Sequence, residues 1–325
     1  MRILVTGAAG FIGSTLVDRL LTDGHQVVGV DNLSTGVMTN LEYAPRYNAL
    51  SPRRFTFLRT DIQAPELTDI VAGINPNVIF HLAAQVDPGA SVSDPQFDAR
   101  NNVLGTINVC EASRRVGVRR IVYAASGESR YGAPTCPPVD ENTWLDPLSP
   151  YAVAKLAGEM YLRAYAEMYD LSPICLALAN VYGPRQNPHG AAGVITALAS
   201  AITTGEPFAV NWGGTSAHDF VYVDDVVEAF LCAGCAPIET TGTYNVGTGQ
   251  RTTVTEIQGL ISAALDGSSP PSFDMDRGDE LHAIAMNVTK AEKELGWKPT
   301  VDLAQGIQRT TRWLHEPEPS ALVGA

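Results

Sequence analysis

The chain has 325 residues, a 45% hydrophobic and 18% charged composition, and a net charge of −13 with a sequence pI near 4.8. Such a length suits one large α/β unit or a nucleotide-binding domain with a smaller partner. The acidic balance argues against a broad basic surface for nucleic acid or acidic lipid, so any phosphate must be held locally by helix N-termini and a few placed cations.

The opening RILVTG reads as a strand and runs into TGAAGFIG, which places Gly7, Gly10 and Gly13 between that strand and a helix. Glycines in this context turn the backbone tightly and let it approach a pyrophosphate, which the amides of Phe11, Ile12 and Gly13 at the helix N-terminus stabilise. QVVGVD is the second strand. It ends at Asp31, with Asn32 beside it. The Asp31 carboxylate suits a ribose hydroxyl and repels a 2′-phosphate, which favours NAD over NADP.

RFTFLRTD brings Asp61 and Ile62 to a third strand end, and NVIFHLA brings His81, Leu82, Ala83 and Ala84 to a fourth. Ligands of open α/β sheets sit outside the carboxyl ends of the strands, so these residues converge on one cofactor path. RIVYAAS is a fifth strand. Helical stretches such as STLVDRLLTDG and NNVLGTINVCEASRRVGV lie between the strands. The alternation predicts a Rossmann-type doubly wound parallel sheet, with strands apolar on both faces.

A helical stretch from Tyr151 to Tyr169 begins SPYAVAK, and ICLALANVYG follows as a further strand. Tyr151 and Lys155 are four residues apart and share one helical face. A nearby ammonium and a positively charged nicotinamide both favour phenolate, which would let Tyr151 accept a hydroxyl proton while hydride leaves the same carbon. After Gly183 the texture becomes irregular, predicting residues 1–182 as the NAD-binding domain and 183–325 as a smaller C-terminal α/β substrate domain. A segment near 219–236 is a candidate to return to the first domain.

Cys110, Cys136, Cys175, Cys232 and Cys235 form no disulfide framework, and the Cys232–Cys235 pair lacks the further ligands a zinc site needs, so no metal is expected. No signal peptide pattern is seen and no apolar run reaches membrane-spanning length, so no membrane association and a cytoplasmic location are expected.

TGAAGFIG, DNLSTG, HLAAQ, NNVLGTINVCEA, SPYAVAK, NVYGPRQNPHG, DFVYVDDV, YNVGTG and ELGWKP together resemble the extended short-chain dehydrogenase/reductases, and among them the UDP-galactose 4-epimerases and their nucleotide-sugar relatives. The resemblance spans nearly the whole chain. It implies Tyr151 as base and Lys155 as the residue that orients the nicotinamide ribose. It also implies Asn180, Arg185 and Arg277 near the diphosphate of a UDP-sugar, and Ile284 in the sugar pocket, where its small size would admit N-acetyl groups. A homodimer through the helices around 101–117 and 152–169 is implied as well.

The chain departs from that pattern in places. Relatives carry Ser or Thr where this chain has Gly127, leaving Ser126 or Ser129 to supply a hydroxyl to the reacting sugar oxygen, with Ser126 favoured. His218 stands where relatives carry Arg, and neutral imidazole binds diphosphate less well. Asn287 replaces Asp. The leading expectation is NAD-dependent epimerisation at carbon 4 of a UDP-hexose. A nucleotide-sugar 4,6-dehydratase, for which Glu128 and Ser129 supply only half of the acid–base pair, and a catalytically weakened NAD-binding sensor are its rivals.

Overall fold

In the computed structural model the described residues are 1–49, 51–132, 134, 137–190, 193–205, 209–210, 217–265, 274–275 and 284–315. Seven parallel strands form the central sheet: β1 (Arg2–Thr6), β2 (Gln26–Asp31), β3 (Phe55–Arg59), β4 (Val78–His81), β5 (Arg120–Ser126), β6 (Ser172–Leu178) and β7 (Gly242–Val246). Their order is β7-β6-β5-β4-β1-β2-β3. The sequence therefore doubles back at β1, and the crevice between β1 and β4 opens at their carboxyl ends. Thr6 pairs with His81 across that switch point.

Helices α1 (Phe11–Thr22), α2 (Leu67–Ile74), α3 (Gly105–Val116), α4 (Pro150–Tyr169) and α5 (Val223–Cys235) cover the sheet. On one face Leu16, Val17 and Leu20 of α1 meet Val226, Ala229 and Phe230 of α5 over Val5, Phe80 and Val122. On the other, α2 and α3 close over Leu4, Val30 and Ile79, while Leu162 and Tyr165 of α4 close over Ile121 and Tyr123. The strands are apolar on both sides because both sides are roofed. The chain beyond residue 182 supplies α5 and β7 to this assembly, with Tyr244 of β7 paired to Leu176 of β6.

A second, smaller core lies beyond the sheet's carboxyl edge. Helices Val194–Thr204, Val254–Ala264 and Leu303–His315 bring Ile195, Leu198, Ile257, Ile261 and Ile307 against Tyr182, Phe220 and Tyr222. Two buried carboxylates fasten it. Asp219 accepts from the amides of Thr248, Gly249 and Met286 and from the Thr248 hydroxyl, at 2.6–3.0 Å. Asp225 accepts from the amides of Thr300 and Val301 and the Thr300 hydroxyl, while its carbonyl accepts from the Trp297 indole. A buried carboxylate with its lone pairs filled by neutral donors is a rigid anchor, and these two tie loops distant in sequence to the residue before the strand Phe220–Tyr222 and to the first turn of α5.

Candidate active site

At the cofactor end, Gly7 adopts φ +70 and an added Cβ would lie 2.7 Å from the amide nitrogen of Ala83. A Cβ on Gly13 would fall 2.0 Å from the Gly7 carbonyl oxygen. Only glycine lets the first strand, the start of α1 and the end of β4 approach so closely. Gly10 is the N-cap of α1 and no side chain caps the helix, so the first-turn amides of Phe11, Ile12 and Gly13 are left for an anion.

Asp31 is oriented by its own backbone. Oδ2 accepts from the Ala9 amide at 2.9 Å and Oδ1 from the Leu33 amide at 2.8 Å. This fixes a carboxylate at the end of β2, with lone pairs remaining for a diol. Asn32 donates to Asp61 Oδ2 at 2.7 Å, and the Gln63 amide donates to Asp61 Oδ1 at 2.8 Å, so the second and third strand ends are linked. Ile62 is buried against α3. A glycine cradle, an uncapped helix start and an ordered acid fit a dinucleotide with a free ribose diol.

His81 lies at the same switch point and is fully buried. Its Nδ1 is 2.8 Å from the Thr6 hydroxyl and its Nε2 3.1 Å from the Thr106 hydroxyl. Thr106 donates onward to the Asn102 carbonyl, so it accepts from His81 Nε2–H while Thr6 donates to Nδ1. Burial, helped by the charge of Lys155, lowers the His81 pKa to about 3, leaving a neutral ring. The ring orders the chain just before Leu82, Ala83 and Ala84. The Ala83 amide donates to the Thr6 hydroxyl at 3.2 Å.

The Tyr151–Lys155 pair sits in the first turns of α4, which Ser149 caps by accepting from the Ala152 amide. Burial pushes the Tyr151 phenol up to about 12, and a hydrogen bond with Ser126 pulls it down. Ser126 is the group that lowers this phenol. The Lys155 Nζ lies over the Tyr123 ring, 4.3 Å from its centroid, and its own pKa falls to about 8 through burial.

Ser126 is the N-cap of the short helix Gly127–Tyr131, yet its hydroxyl makes no capping bond and is directed to Tyr151 instead. A Cβ on Gly127 would lie 2.6 Å from Met286 Cε and 2.9 Å from the Leu178 carbonyl oxygen, so packing denies that position a side chain. Ser129 is half-buried on the same helix.

Glu128 joins two residues that the sequence placed near the diphosphate. Its Oε1 accepts from Asn180 Nδ2 at 2.6 Å and its Oε2 lies 3.1 Å from His218 Nδ1. The bridging role of Glu128 was hidden in the sequence, because the three residues come from three separate strand ends. Arg185 is turned onto Asp18 of α1, 2.5 Å away. Arg277 lies outside the described residues. Ile284 is buried at 4% exposure in the main core, and its amide donates to the Ala217 carbonyl. Asn287 accepts from the Thr289 amide at 3.0 Å through its side chain. Among the described residues no cluster of three His, Cys, Asp or Glu side chains is placed to hold a metal ion, and no helix is long and apolar enough to cross a membrane.

A doubly wound sheet with a dinucleotide cradle at its switch point and a Tyr-Lys helix alongside defines a Rossmann-type enzyme acting through a nicotinamide nucleotide. Residues 3–247 match the NAD dependent epimerase/dehydratase family, and the chain belongs to it. It is 46% identical to a UDP-glucose 4-epimerase of Mycolicibacterium smegmatis over 96% of this chain and 98% of that one. The fold superposes on a UDP-glucose 4-epimerase of Thermotoga maritima, solved with UDP-glucose, with a TM-score of 0.89 and 36% identity over 97% and 99% of the two chains. A UDP-N-acetylglucosamine 4-epimerase of Methanobrevibacter ruminantium, in complex with UDP-N-acetylmuramic acid, gives a TM-score of 0.88 and 28% identity over 97% and 98%.

Proposed function

We propose that the chain is an NAD-dependent 4-epimerase of UDP-hexoses, with UDP-glucose and UDP-galactose as its core substrates and N-acetylated UDP-hexoses within reach of its pocket. The observation that carries this reading is the convergence of Ser126, Tyr151 and Lys155 beside the glycine cradle and Asp31. The identities with named UDP-glucose 4-epimerases support it.

In this reading Gly7, Gly10, Phe11, Ile12 and Gly13 hold the pyrophosphate, while Asp31 and Asn32 hold the adenosine ribose. Asp61 and Ile62 flank the adenine, and Leu82, Ala83 and Ala84 line the path to the nicotinamide. NAD, when bound, supplies reversible hydride acceptance and a positive charge. Ser126 hydrogen-bonds the reacting oxygen and Tyr151 takes the proton from the 4-hydroxyl, then returns it after the keto sugar has presented its other face. Lys155 orients the ribose and lowers the cost of phenolate. Glu128 holds Asn180 and His218 in register at the diphosphate end, and the 183–325 portion provides most of the sugar-nucleotide contacts, with Arg277 and Ile284 among them.

The exposed apolar side chains Leu104, Val153, Met160, Tyr161 and Met168, on α4 and the turn leading into α3, suit a second copy of this chain. A homodimer is therefore part of the proposal, to be checked by light scattering. Incubating purified protein with UDP-galactose or UDP-glucose and resolving the products by chromatography tests the activity. Interconversion that is lost in Tyr151→Phe with NAD still bound is the expected result. An NAD-loaded protein that interconverts neither sugar would overturn the reading.

A further inference from the structure

Between Asn180 and the cofactor helix α1 lies the turn 183–186, which the Gln186 amide closes on the Gly183 carbonyl at 3.3 Å. Gly183 adopts φ +148, and an added Cβ there would lie 2.6 Å from Val223 Cγ1 at the start of α5. The Gln186 side chain donates to the Val181 carbonyl at 2.9 Å and accepts from the Thr196 hydroxyl at 2.7 Å. Arg185 sets its guanidinium on Asp18 of α1, 2.5 Å away. Its φ of +72 is left-handed, a conformation that is strained for a residue with a Cβ and persists only where the surroundings impose it.

The two charges depend on each other. Their side chains are 20% and 19% exposed, and Asp18 Oδ1 and Arg185 Nη1 are buried with no hydrogen-bond partner among the described residues. Asp224 of α5, which also feels the Arg185 charge, is turned to Arg309 instead, 3.7 Å away. Removing one member of such a pair leaves the other charge uncompensated.

Helix α1 carries the contact to the cofactor end. Its first residues, Phe11 and Ile12, pack against the second core, which holds Tyr182, Phe220 and Tyr222, while their amides are left for the pyrophosphate. Asp18 stands about two turns further along. The helix therefore grips the chain after Asn180 both at its start and at Arg185. At the other end of that short run, Asn180 donates to Glu128, and its amide donates to the Asp219 carbonyl at 3.0 Å. The strand Asn180–Tyr182 is paired with Phe220–Tyr222, so no slack lies between.

We infer that Arg185 is a positioning residue and not a diphosphate ligand: through Asp18 it fastens the 183–186 turn to α1, so that NAD at the helix start and a UDP-sugar at Asn180 hold each other in place. The ligands named here rest on the epimerase reading. Either nucleotide orders an element that the ion pair joins to the other, and the second ligand then meets a site already stiffened. Epimerisation requires such retention, because the hydride must return to the same sugar before NAD can leave.

The test uses NAD-loaded protein with UDP as the probe. Exchange of bound NAD for labelled NAD is timed with and without saturating UDP. In the wild type UDP should slow exchange about tenfold or more, and in Arg185→Gln and Asp18→Asn by no more than about twofold. The double variant should be no worse than either single, since the pair acts as one unit. Arg185→Lys keeps the charge and should retain more of the effect than Arg185→Gln. Arg185→Gly relieves the backbone but removes the pair, and should behave as Arg185→Gln does. With UDP-glucose as substrate, KM should rise about tenfold in Arg185→Gln and Asp18→Asn while kcat changes less. A lowered unfolding midpoint with the UDP effect intact would make the pair a plain brace and overturn the inference. So would UDP that leaves NAD exchange unchanged in the wild type. Turnover is read separately: UDP-slowed exchange in a protein that interconverts no UDP-hexose sinks the epimerase reading and leaves the inference standing.

Discussion

Met286 occupies the space that a side chain on Gly127 would need, its Cε lying 2.6 Å from where the Cβ would be. Gly127→Ser therefore should not supply the reaction with a hydroxyl. It should lower thermal stability, because the Met286 side chain and the Leu178 carbonyl must both give way, and overpacking of this kind costs about 1–3 kcal/mol. Ser126→Ala should instead leave stability near wild type and reduce kcat about a hundred- to a thousandfold, as expected for a donor to a developing oxyanion. It should also shift the acid limb of the rate profile to higher pH, since Ser126 is what lowers the Tyr151 phenol. Steady-state rates across pH for the two variants, with unfolding midpoints, would distinguish a working serine from a bystander. Wild-type kinetics in Ser126→Ala would remove it from the reaction.

Asp31→Ala should weaken NAD binding and narrow the preference over NADP. The carboxylate receives the Ala9 and Leu33 amides, so its loss also loosens the glycine turn at 2.9 and 2.8 Å contacts. Ser at this position would keep an acceptor without the charge, and should recover NADP binding better than Ala. Titration calorimetry with both nucleotides measures this directly. An unchanged ratio in both variants would assign the ribose to another residue.

The strands and the cofactor cradle were legible in the sequence because their signals are local. RILVTG, QVVGVD, RFTFLRTD, NVIFHLA and RIVYAAS contain β1 to β5, and glycine spacing next to a strand end needs no tertiary knowledge. The pairings that finish the site were not legible. Arg185 and Asp18 are 167 residues apart, and Glu128 and His218 are 90 apart. Arg130 and Glu128 lie together on the short helix after β5. Arg130 is there to meet Glu159, and Glu128 to meet Asn180 and His218. YNVGTG was noticeable as a motif, but its being the last strand of the main sheet depends on pairing with β6, which sequence periodicity does not carry.

Acid should destabilise the protein through His81 before its carboxylates titrate. The folded pKa of about 3 lies below the unfolded value of 6.5, so the unfolded chain takes up a proton that the folded chain refuses. Stability from this group is complete above pH 6.5 and is lost as pH falls, with a limiting slope of about 1.4 kcal/mol per pH unit. His81→Gln keeps hydrogen-bonding capacity toward Thr6 and Thr106 without the titration. Its unfolding free energy should be flatter than wild type between pH 6.5 and 5. Equal slopes for the two proteins in that window would show that the histidine is not the group responsible.

Ile284 tests what the sugar pocket excludes. Its side chain is 4% exposed and belongs to the main core, which also holds Tyr131, Val139 and Met286, the last of these against Gly127. A bulky aromatic here would have to displace those neighbours, so Ile284→Tyr should lower stability as well as any activity on an N-acetylated sugar, and it cannot separate the two effects. Ile284→Val separates them. If Ile284 only packs the core, the loss of one methylene should cost about 0.5–1.5 kcal/mol of stability and leave the ratio of kcat/KM for UDP-N-acetylglucosamine and UDP-glucose as it was. If it borders the sugar, a methylene of extra room should favour the acetylated substrate, and such a contact is worth about 1–3 kcal/mol of discrimination, or roughly 10- to 200-fold at most. The expected result is a rise in the ratio of several-fold with a modest drop in the unfolding midpoint. A lower midpoint with an unchanged ratio would place Ile284 in the core alone, and an inactive wild type toward the acetylated sugar would locate the exclusion at some other wall of the pocket.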